Sequence, residues 1–333
     1  MLPYFGKLPN YFELWLYSAG QNSTIDFLLI TDASLSAYQV PENVLVKQMT
    51  FAEMQNLVQS KLGSGVSIEK PYKLCDYKPA YGEVFGNDLN GYDFWGWVDP
   101  DMIFGDLRKF LTEELLAQFD KIKKYGHLVL IRNEKQFNEF YRQSELAKDH
   151  PGVTCQDAFY TKANVHFDES YFMNVLWDEV MPRTYYKEGI EFADIEPNQF
   201  ELIATDHFGK GVEGVYHFVN GRLYRVFKGG VVEVACIHLL KRTMRVMPEI
   251  NLNNFWITGA SFISSDDANF SENYLPSKEE LAIFDERKKI NIKRHKKNRY
   301  NLTKLIIKMK KIYREKRSHR KELNGTHEGY KKI

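Results

Sequence analysis

Two aspartates stand one residue apart at the end of an aromatic run. The run is FWGWV, residues 94–98, and Asp99 and Asp101 follow it closely. A run of this kind is typical of a buried strand, where an unpaired carboxylate is costly. Two neighbouring carboxylates repel each other unless a cation lies between them. The pair predicts a metal site at the C-terminal end of a strand, the edge at which open α/β sheets bind ligands. The alternative is a simple turn, because Asp-Pro favours turn initiation.

A histidine and a lysine follow another apolar run far downstream. His238 ends the run 229–238, and Lys241 stands three residues later. Hard divalent cations take carboxylate oxygens, and Mn²⁺ also accepts an imidazole nitrogen. Such a cation could bridge the two phosphates of a nucleotide-sugar and neutralise the departing diphosphate, to which Lys241 would add positive charge. Together these residues point to transfer of a sugar from a nucleotide carrier, whereas a lone histidine is more often a core residue.

Strand-like runs must position these side chains. The apolar run 25–32 ends at Asp32 and predicts a buried parallel strand. Residues 42–50 and 126–133 are interpreted as further strands, and residues 229–242 as one buried strand that carries His238 and Lys241 at its end. Because helical patterns alternate with these runs, the sequence predicts an α/β architecture.

The helical patterns and one hairpin complete the predicted elements. Helices are expected over residues 10–22, 50–62, 71–85, 105–120 and 134–146. Pro79 must lie near the start of the third helix or kink it, and Asp106 is the candidate N-cap of the fourth. Asn220-Gly221 joins two strand-like runs, which predicts a hairpin with a type I′ turn.

Composition limits the class of protein. The 333 residues are 44% hydrophobic and 14% aromatic, enough for one large core or two smaller ones. No run of about eighteen apolar residues predicts a membrane span, and the first residues lack the features of a secretory signal. Three cysteines lie far apart with no Cys-x-x-Cys pair, which disfavours a disulfide framework and a structural zinc site. A reducing cytoplasm fits best.

Charge divides the chain into two parts. Residues 287–322 hold 17 Lys or Arg against two acidic residues, so this segment carries +15 while the whole chain carries only +1. We therefore predict a mildly acidic domain over residues 1–275 and a basic helical tail over residues 276–333. Apolar residues of the tail fall on one helical face: Leu302, Leu305, Ile306, Met309, Ile312 and Tyr313.

An amphipathic basic helix is typical of attachment to an anionic membrane surface. The alternatives are a helix packed on its own domain and a disordered basic end. No nucleic-acid recognition module accompanies the charge, so nucleic acid is not an expected partner. If the tail only anchors the protein, a chain ending near Asp285 should keep its activity.

Seven segments carry a family resemblance, in this order along the chain: PYFGKLPNYFELWL, IDFLLITD, KPYKLCDYKPAYG, YDFWGWVDPDMIFGDL, GHLVLIRN, HFDE and CIHLLKRTM. The chain resembles bacterial GT-A-type glycosyltransferases of an uncharacterised family associated with surface-polysaccharide gene clusters. It is distantly similar to the glycogenin and lipopolysaccharide galactosyltransferase group. The segment IHLLKR keeps His238 and Lys241 but lacks the glycine and the Pro-Trp of that group's motif, so retaining stereochemistry is only weakly implied.

One further departure concerns the first strand. The family opens with an apolar strand before the PYFG loop, and here only Met1 and Leu2 precede Pro3. Either the recorded start is too late or the first strand is missing.

The resemblance implies a GT-A-like, Rossmann-like mixed sheet flanked by helices, and a role for each matching residue. The metal ligands would be Asp99, Asp101 and His238. The residues that bind the nucleotide-sugar would be Tyr4, Phe5, Gly6, Lys7, Asp32, Lys73, Asp76, Lys78, Asn133 and Lys241. The carboxylates that orient the sugar or act as base would be Asp168 and Glu169.

Most of these roles have a simpler alternative. The Gly6 loop could be an ordinary turn with an exposed lysine, and Asp32 or Asn133 could cap a helix. Lys73 and Asp76, three residues apart, could form a surface ion pair. Asp168 and Glu169 could lie in a solvated loop.

The sequence therefore predicts a hexosyltransferase that depends on Mn²⁺ (or Mg²⁺) and uses a nucleotide-sugar, with UDP-hexose as the expected donor. The expected acceptor is a saccharide on a lipid carrier, at the inner face of the cytoplasmic membrane. One alternative is a phosphotransferase or phosphatase of the haloacid dehalogenase type, whose Asp-x-Asp usually follows the first strand and precedes Thr or Val rather than a residue such as Met102. The other alternative is a non-catalytic, membrane-associated scaffold.

Overall fold

The computed structural model describes residues 1–123, 126–143, 145, 154–185, 191–195, 199–205, 211–228, 230–265 and 276–299. The chain divides into two compact units. The first unit comprises Met1–Thr50, Val98–Ala117 and Lys187–Arg294, and the second comprises Phe51–Trp97, Gln118–Tyr186 and His295–Ile333. Strands and helices are mixed in the described residues, so the prediction of an α/β protein is confirmed.

The strands, in chain order, are β1 (Leu2–Tyr4), β2 (Phe27–Thr31), β3 (Val44–Gln48), β4 (Phe94–Val98), β5 (Met102–Phe104), β6 (Lys121–Ile122), β7 (Leu128–Arg132), β8 (Thr184–Tyr185), β9 (Phe192–Asp194), β10 (Leu202–Thr205), β11 (Gly211–Val219), β12 (Arg222–Phe227), β13 (Gly230–Val234), β14 (Cys236–His238), β15 (Arg245–Val246), β16 (Asn254–Ile257) and β17 (Ser261–Ser264).

The α-helices are α1 (Phe12–Gly20), α2 (Phe51–Leu62), α3 (Tyr81–Val84), α4 (Glu113–Gln118), α5 (Lys135–Asn138), α6 (Cys155–Phe159), α7 (Tyr171–Val180) and α8 (Lys278–Arg299). Short 3₁₀ helices cover Pro71–Ala80, Gly86–Leu89, Leu107–Lys109, Phe140–Arg142 and Phe167–Glu169.

A parallel sheet opens the first unit. Its strands lie in the order β1-β2-β3, and both pairings are parallel. Helix α1 connects β1 to β2 and buries Phe12, Trp15 and Leu16, because apolar residues at this spacing share one helical face. A first strand is therefore present, formed by the three residues Leu2–Tyr4.

Two further sheets belong to the first unit. A seven-stranded sheet has the order β13-β12-β11-β16-β17-β15, with β10 paired to β11. The predicted hairpin joins β11 to β12, and both turn residues have positive φ, 50° at Asn220 and 75° at Gly221, as a type I′ turn requires. The third sheet has the order β5-β14-β9.

The prediction of one strand over residues 229–242 is wrong. The run forms two strands in different sheets: β13 pairs with β12, and β14 pairs with β5 and β9. The change of sheet occurs at Ala235, whose N–H bonds to the Glu191 carbonyl and whose carbonyl accepts the Gly105 N–H at 2.8 Å. No Gly, Pro or polar residue marks this point, so periodicity alone could not locate it.

A cluster of buried apolar side chains fixes β5 and β14 in the first unit. Ile103 of β5 and Ile237 of β14 lie opposite each other, and both are fully buried in this cluster. Other members are Tyr11, Leu14, Ala193, Tyr216, Phe218, Leu223, Phe255 and Phe262. Burial of such side chains contributes about 1.5–3 kcal/mol each, so the positions of both strands are strongly determined.

The second unit contains the aromatic strand. Strands β4, β7, β6 and β8 form a sheet in that order. Trp95 and Trp97 are buried, as predicted for this run. Gly96 is required because a Cβ there would lie 1.9 Å from the Val129 carbonyl oxygen. In the same unit the Trp177 ring stacks on Phe140, with centroids 3.8 Å apart.

Three of the predicted helices are interrupted. Residues 105–120 form the 3₁₀ helix Leu107–Lys109, capped by Asp106 as predicted, and then α4, whose Leu115 N–H bonds to the Thr112 hydroxyl. Thr112 therefore starts a new helix. Residues 71–85 form a 3₁₀ helix followed by α3, and Pro79, which has no N–H to donate, lies two residues before α3 begins. In residues 134–146, α5 is followed by the 3₁₀ helix Phe140–Arg142.

Among the described residues, no helix has both the length and the apolar character needed to cross a membrane. Helix α8 covers the first part of the basic segment 287–322. The predicted amphipathic face within residues 302–313 lies outside the described residues, so it stays a prediction.

Candidate metal centre

Strand register brings the predicted metal ligands together. His238 of β14 lies opposite Met102 of β5, so Asp101 comes one residue before the partner of His238. On its other side His238 lies beside Asp194, the last residue of β9. A histidine at the end of a central strand is thus placed between two carboxylates by backbone pairing alone.

The ring of His238 faces the two aspartates of the Asp-x-Asp motif. Its Nε2 lies 3.3 Å from Oδ1 of Asp101 and 3.7 Å from Oδ2 of Asp99. Strand side chains alternate between faces, so His238 lies on the opposite face of β14 from Ile237, which belongs to the core cluster. The three side chains predicted as ligands converge, with one ligand atom of each within 4.8 Å of the others.

The chemistry of this cluster fits a divalent cation. Oδ1 of Asp101 is buried 3.3 Å from Nε2 of His238, and no other polar group of the described residues bonds to this oxygen. The other oxygen of Asp101 accepts the backbone N–H of Lys241. Two carboxylates and one imidazole are ligands that Mn²⁺ accepts, and the two carboxylates also suit Mg²⁺.

The charges of the cluster alter the ionisation of its members. Burial alone would lower the pKa of His238, but Asp101, Asp194 and Asp99 overcome this effect and raise that pKa to about 10. Burial alone would raise the pKa of Asp101, but His238 and the N–H of Lys241 hold that pKa below its usual value. Without a cation, the imidazolium of His238 therefore balances the carboxylates around it.

Asp194 is a residue of the candidate site that the sequence analysis missed. One of its carboxylate oxygens lies 2.8 Å from Nδ1 of His238. A carboxylate on one ring nitrogen directs the other nitrogen toward a metal and makes it more basic. The available signal was weak, because Asp194 ends a strand of only three residues.

Asp99 and Asp101 differ in accessibility. The side chain of Asp99 is 24% exposed, whereas that of Asp101 is 3% exposed. Trp15 in α1 donates its indole N–H to the Asp99 carbonyl at 3.1 Å, which holds the turn after β4. The cluster therefore has one buried carboxylate and one that a ligand can reach from solvent.

The loop after β1 lies near the cluster in the first unit. Burial and then the charge of Asp101 raise the pKa of Tyr4, while Lys241 lowers it, so Tyr4 lies within electrostatic range of both. Gly6 has a φ of 103°, which favours glycine. Its N–H donates to Oδ1 of Asp32 at 2.8 Å. Asp32 therefore connects the loop after β1 to the end of β2 by a hydrogen bond. The alternative that Asp32 caps a helix is wrong.

Other predicted residues of this loop differ in exposure. Phe5 is buried, whereas Lys7 is exposed, and the Lys7 carbonyl accepts the hydroxyl of Tyr4 at 2.9 Å. The side chain of Lys241 is also exposed. The two lysines could therefore meet an anionic ligand of the first unit.

The remaining predicted residues lie in the second unit: Lys73, Asp76, Lys78, Asn133, Asp168 and Glu169. Lys73 and Asp76 form a buried ion pair at 2.8 Å, so the alternative of a surface pair is wrong. The Lys73 ammonium also donates to the carbonyls of Ala158 and Ala163 at 2.6 and 2.7 Å, which uses its three N–H groups. Lys73 thus has a structural role within this unit.

Asp76 is engaged in the same way. Its carboxylate accepts the backbone N–H groups of Val165 and Phe167, both at 2.9 Å, besides the Lys73 ammonium. These bonds hold the chain just before Asp168. The pair therefore supports the segment that carries the predicted catalytic carboxylates.

Lys78 and Asp168 form a second buried pair, with Nζ and Oδ2 3.5 Å apart. Glu169 is exposed. Within the second unit, Asp168 is therefore buried in the 3₁₀ helix Phe167–Glu169 rather than in a solvated loop, and only Glu169 of the two is exposed to solvent. Their predicted roles toward a sugar stay predictions.

Asn133 holds a turn of the second unit. Its side-chain amide donates to the carbonyls of Leu89 and Tyr92 at 2.9 and 2.8 Å, and its oxygen accepts from Asn138 at 2.8 Å. The N-cap of α5 is Glu134, so the alternative of a helix cap is wrong. Both side-chain N–H groups of Asn133 are engaged in hydrogen bonds within the protein. A structural role therefore explains Asn133 better than binding of the nucleotide-sugar.

Comparison with protein families assigns the chain. The model of a family of unknown function, DUF6625, matches residues 1–266. The chain belongs to the DUF6625 family. The matched residues include the whole acidic cluster with His238, while α8 lies beyond them. Comparison with curated proteins and with solved structures gives no match. The DUF6625 description gives no activity, so the chemistry of the cluster is the basis for a functional proposal.

Proposed function

We propose that this member of the DUF6625 family is a GT-A-like glycosyltransferase that depends on Mn²⁺ or Mg²⁺. It transfers a hexose from a nucleotide-sugar, with UDP-hexose as the expected donor, to a saccharide acceptor on a lipid carrier. The proposed process is surface-polysaccharide biosynthesis at the inner face of the cytoplasmic membrane. The observation that carries the proposal is the convergence of Asp99, Asp101 and His238, in which Oδ1 of Asp101 is buried 3.3 Å from Nε2 of His238.

The surroundings of the cluster support a nucleotide-sugar as the ligand. The unit β1-α1-β2 and its parallel neighbour β3 form the type of sheet that binds nucleotides at strand ends. Tyr4 lies near Asp101 and offers a ring to a base, and the exposed Lys7 and Lys241 offer positive charge to phosphates. A cation alone would need only the three ligands, whereas a diphosphate needs these cationic neighbours as well.

Each residue of the cluster has a defined task in the proposed reaction. Asp101, held by the Lys241 N–H, presents one oxygen to the cation, and Asp99 presents a second from the solvent side. Asp194 orients His238 so that Nε2 faces the aspartates. A bound divalent cation would supply positive charge to the diphosphate leaving group. The side chain of Lys241 then meets the same phosphates and stabilises the charge that develops on them.

Two alternatives remain from the sequence. In a phosphotransferase of the haloacid dehalogenase type an aspartate must attack phosphorus, which requires an accessible carboxylate. Asp101 is 3% exposed and faces His238, and the more accessible Asp99 follows the fourth strand rather than the first. A scaffold without activity would bind neither cation nor nucleotide with specificity.

Ligand-induced thermal shifts distinguish these functions. We expect UDP or a UDP-hexose to raise the melting temperature only when Mn²⁺ or Mg²⁺ is present, since the cation would hold the diphosphate. A ligand at 100 times its Kd stabilises the folded protein by about 2.7 kcal/mol. Asp101→Asn keeps an oxygen for the Lys241 N–H but loses the charge, and it should lower Mn²⁺ affinity at least about 100-fold by calorimetry.

The matched control is Asp285→Asn, an exposed aspartate on α8. It should bind Mn²⁺ like the wild type. Unchanged Mn²⁺ and UDP binding by Asp101→Asn would refute the metal site. Hydrolysis of simple phosphate esters with no effect of nucleotide would favour the phosphatase, and no shift with any nucleotide would favour the scaffold.

A further inference from the structure

One face of α8 is packed into the first unit. Glu280, Phe284 and Arg287 stand at positions i, i+4 and i+7, which share a helical face, and all three are buried. Glu280 accepts the Thr258 hydroxyl at 3.1 Å, and the Phe284 ring lies 5.7 Å from that of Phe200. The sequence analysis assigned Arg287 to the basic tail, whereas its side chain is 6% exposed.

The Arg287 guanidinium reaches the turn that follows β14. It donates an N–H to the carbonyl oxygen of Leu240. Burial lowers the pKa of Arg287, while Tyr11 and Asp101 oppose this shift. The guanidinium therefore lies within electrostatic range of Asp101 in the candidate metal centre. Its sequence separation from Leu240 is 47 residues.

The turn itself has a strained backbone. Leu240 and Lys241 have φ values of 48° and 56°, in the left-handed region that side chains with a Cβ rarely adopt. Two consecutive residues of this kind persist only where surrounding contacts determine them. The Leu239 N–H, just before the turn, donates to the Asp101 carbonyl at 2.8 Å.

A single peptide group connects Arg287 to Asp101. The carbonyl of Leu240 and the N–H of Lys241 belong to the same planar peptide unit. Arg287 binds its oxygen, and the Asp101 carboxylate binds its N–H. The peptide thus lies between a cation and an anion, so both charges favour the same orientation of the plane and each bond polarises the other.

We propose that Arg287 is a positioning residue of the metal site. It holds the peptide between Leu240 and Lys241 so that the N–H fixes one oxygen of Asp101, which leaves the other oxygen directed at His238. The inference rests on the proposed metal-dependent function. It places the start of α8 within the functional unit, although α8 lies beyond the residues matched by the family model.

Two readouts on the full chain test this role. The first is Mn²⁺ affinity by calorimetry. The second, measured without metal, is the exchange rate of the Lys241 amide by NMR, because this amide is protected by its bond to Asp101. The Phe27 amide, which bonds to the Asn43 carbonyl at 2.7 Å in the same unit, is the internal reference for general loss of stability.

Three variants make the comparison. Arg287→Met keeps the apolar stem and loses every donor, so Mn²⁺ affinity should fall about 10- to 100-fold, and Lys241 exchange should become at least about tenfold faster than Phe27 exchange. Arg287→Lys restores one donor and should recover affinity to within about threefold. Lys289→Met, an exposed basic residue on the same helix, should change neither readout.

The outcomes separate the inference from the proposed function. If the wild type binds Mn²⁺ and Arg287→Met leaves affinity unchanged, the inference is refuted and the metal site stands. Equal acceleration at Lys241 and Phe27 would also refute it, because Arg287 would then support only general stability. If the wild type binds no Mn²⁺, the proposed function fails, and selective acceleration at Lys241 still shows that Arg287 positions Asp101.

Discussion

At the scale of single residues, the hydrogen bond between Asp194 and His238 determines which ring nitrogen can meet a cation. Asp194→Asn should lower Mn²⁺ affinity about 10- to 100-fold, the usual effect of removing a carboxylate behind a ligating histidine. The asparagine oxygen can still accept from Nδ1, so the fold should be retained and only the negative charge is lost. Calorimetry measures the affinity, with Asp285→Asn as the control. An affinity within twofold of the wild type would contradict this role.

The ionisation of His238 gives a pH dependence with a definite sign. Its pKa is raised to about 10, so the ring holds a proton at neutral pH when no cation is present. A cation must displace this proton, and Mn²⁺ affinity should therefore rise about tenfold per pH unit from pH 6 to 8. Calorimetry in buffers of different ionisation enthalpy should show release of about one proton per ion.

Stability of the cation-free protein should change in the opposite direction. The raised pKa of His238 means that its protonated form stabilises the fold. This contribution is fully present below pH 6.5, the pKa in the unfolded chain, and it is lost as the pH rises through about 10. His238→Gln should remove both dependences. A Mn²⁺ affinity that does not vary with pH in the wild type would contradict ligation by His238.

Residue types and strand ends, together with the family resemblance, singled out Asp99, Asp101 and His238, and the structure brings these three side chains together. Asp194 and Arg287 could not be found in this way. They act on residues 44 and 47 positions away, through strand register and a helix contact that no local pattern encodes. Lys73 and Asp76 were predicted to bind the nucleotide-sugar, but their polar groups form hydrogen bonds within the second unit.

At the scale of elements, the hairpin of β11 and β12 is the most local feature of the fold. Gly221→Ala should lower the free energy of unfolding by about 1–2 kcal/mol, because φ is 75° there and a left-handed backbone is unfavourable for alanine. Gly230→Ala is the matched control. Its φ is not in that region, and its Cβ would lie 3.7 Å from Phe227, an ordinary contact. Urea unfolding measures both, and equal effects would contradict the conformational explanation.

Elements with local signals were predicted well, and those fixed by tertiary contacts were not. The turn residues Asn220 and Gly221 and the apolar run of β2 specify their structures directly. The change of sheet at Ala235 depends on hydrogen bonds to Glu191 and Gly105, which lie far away in the chain. Helix interruptions at Thr112 and Pro79 had visible signals, but the helical periodicity around them is continuous.

At the scale of the whole molecule, α8 has a first part with a buried face and a later part with exposed basic side chains. Its first part, to Arg287, is buried on one face in the first unit, whereas the side chains of Lys288, Lys289 and Lys293 are exposed. The expectation that a chain ending near Asp285 keeps its activity therefore needs revision. Such a chain loses Arg287 and its bond to Leu240, and we expect weaker Mn²⁺ binding from it.

The exposed part of α8 supports the proposed attachment to an anionic membrane. Each basic residue near such a surface contributes about 1 kcal/mol, and Ile290 and Ile292, which are about half exposed, add apolar contact. Replacing Lys288, Lys289 and Lys293 together by Gln should weaken binding to phosphatidylserine-containing vesicles about 100-fold at low salt, because three contributions of this size sum to about 3 kcal/mol. Sedimentation with vesicles measures the binding.

The control replaces three exposed lysines of the second unit, Lys70, Lys135 and Lys162, by Gln. It removes the same charge from the protein, so any loss caused by net charge alone would appear in both variants. We expect the control to bind vesicles almost as the wild type does, and both proteins to be released at high salt because surface charges interact over about 8 Å at physiological ionic strength. Mn²⁺ affinity should be the same in both variants, since all six lysine side chains are exposed and none is a predicted ligand. Equal vesicle binding by the α8 variant and the wild type would show that this helix is not the site of attachment.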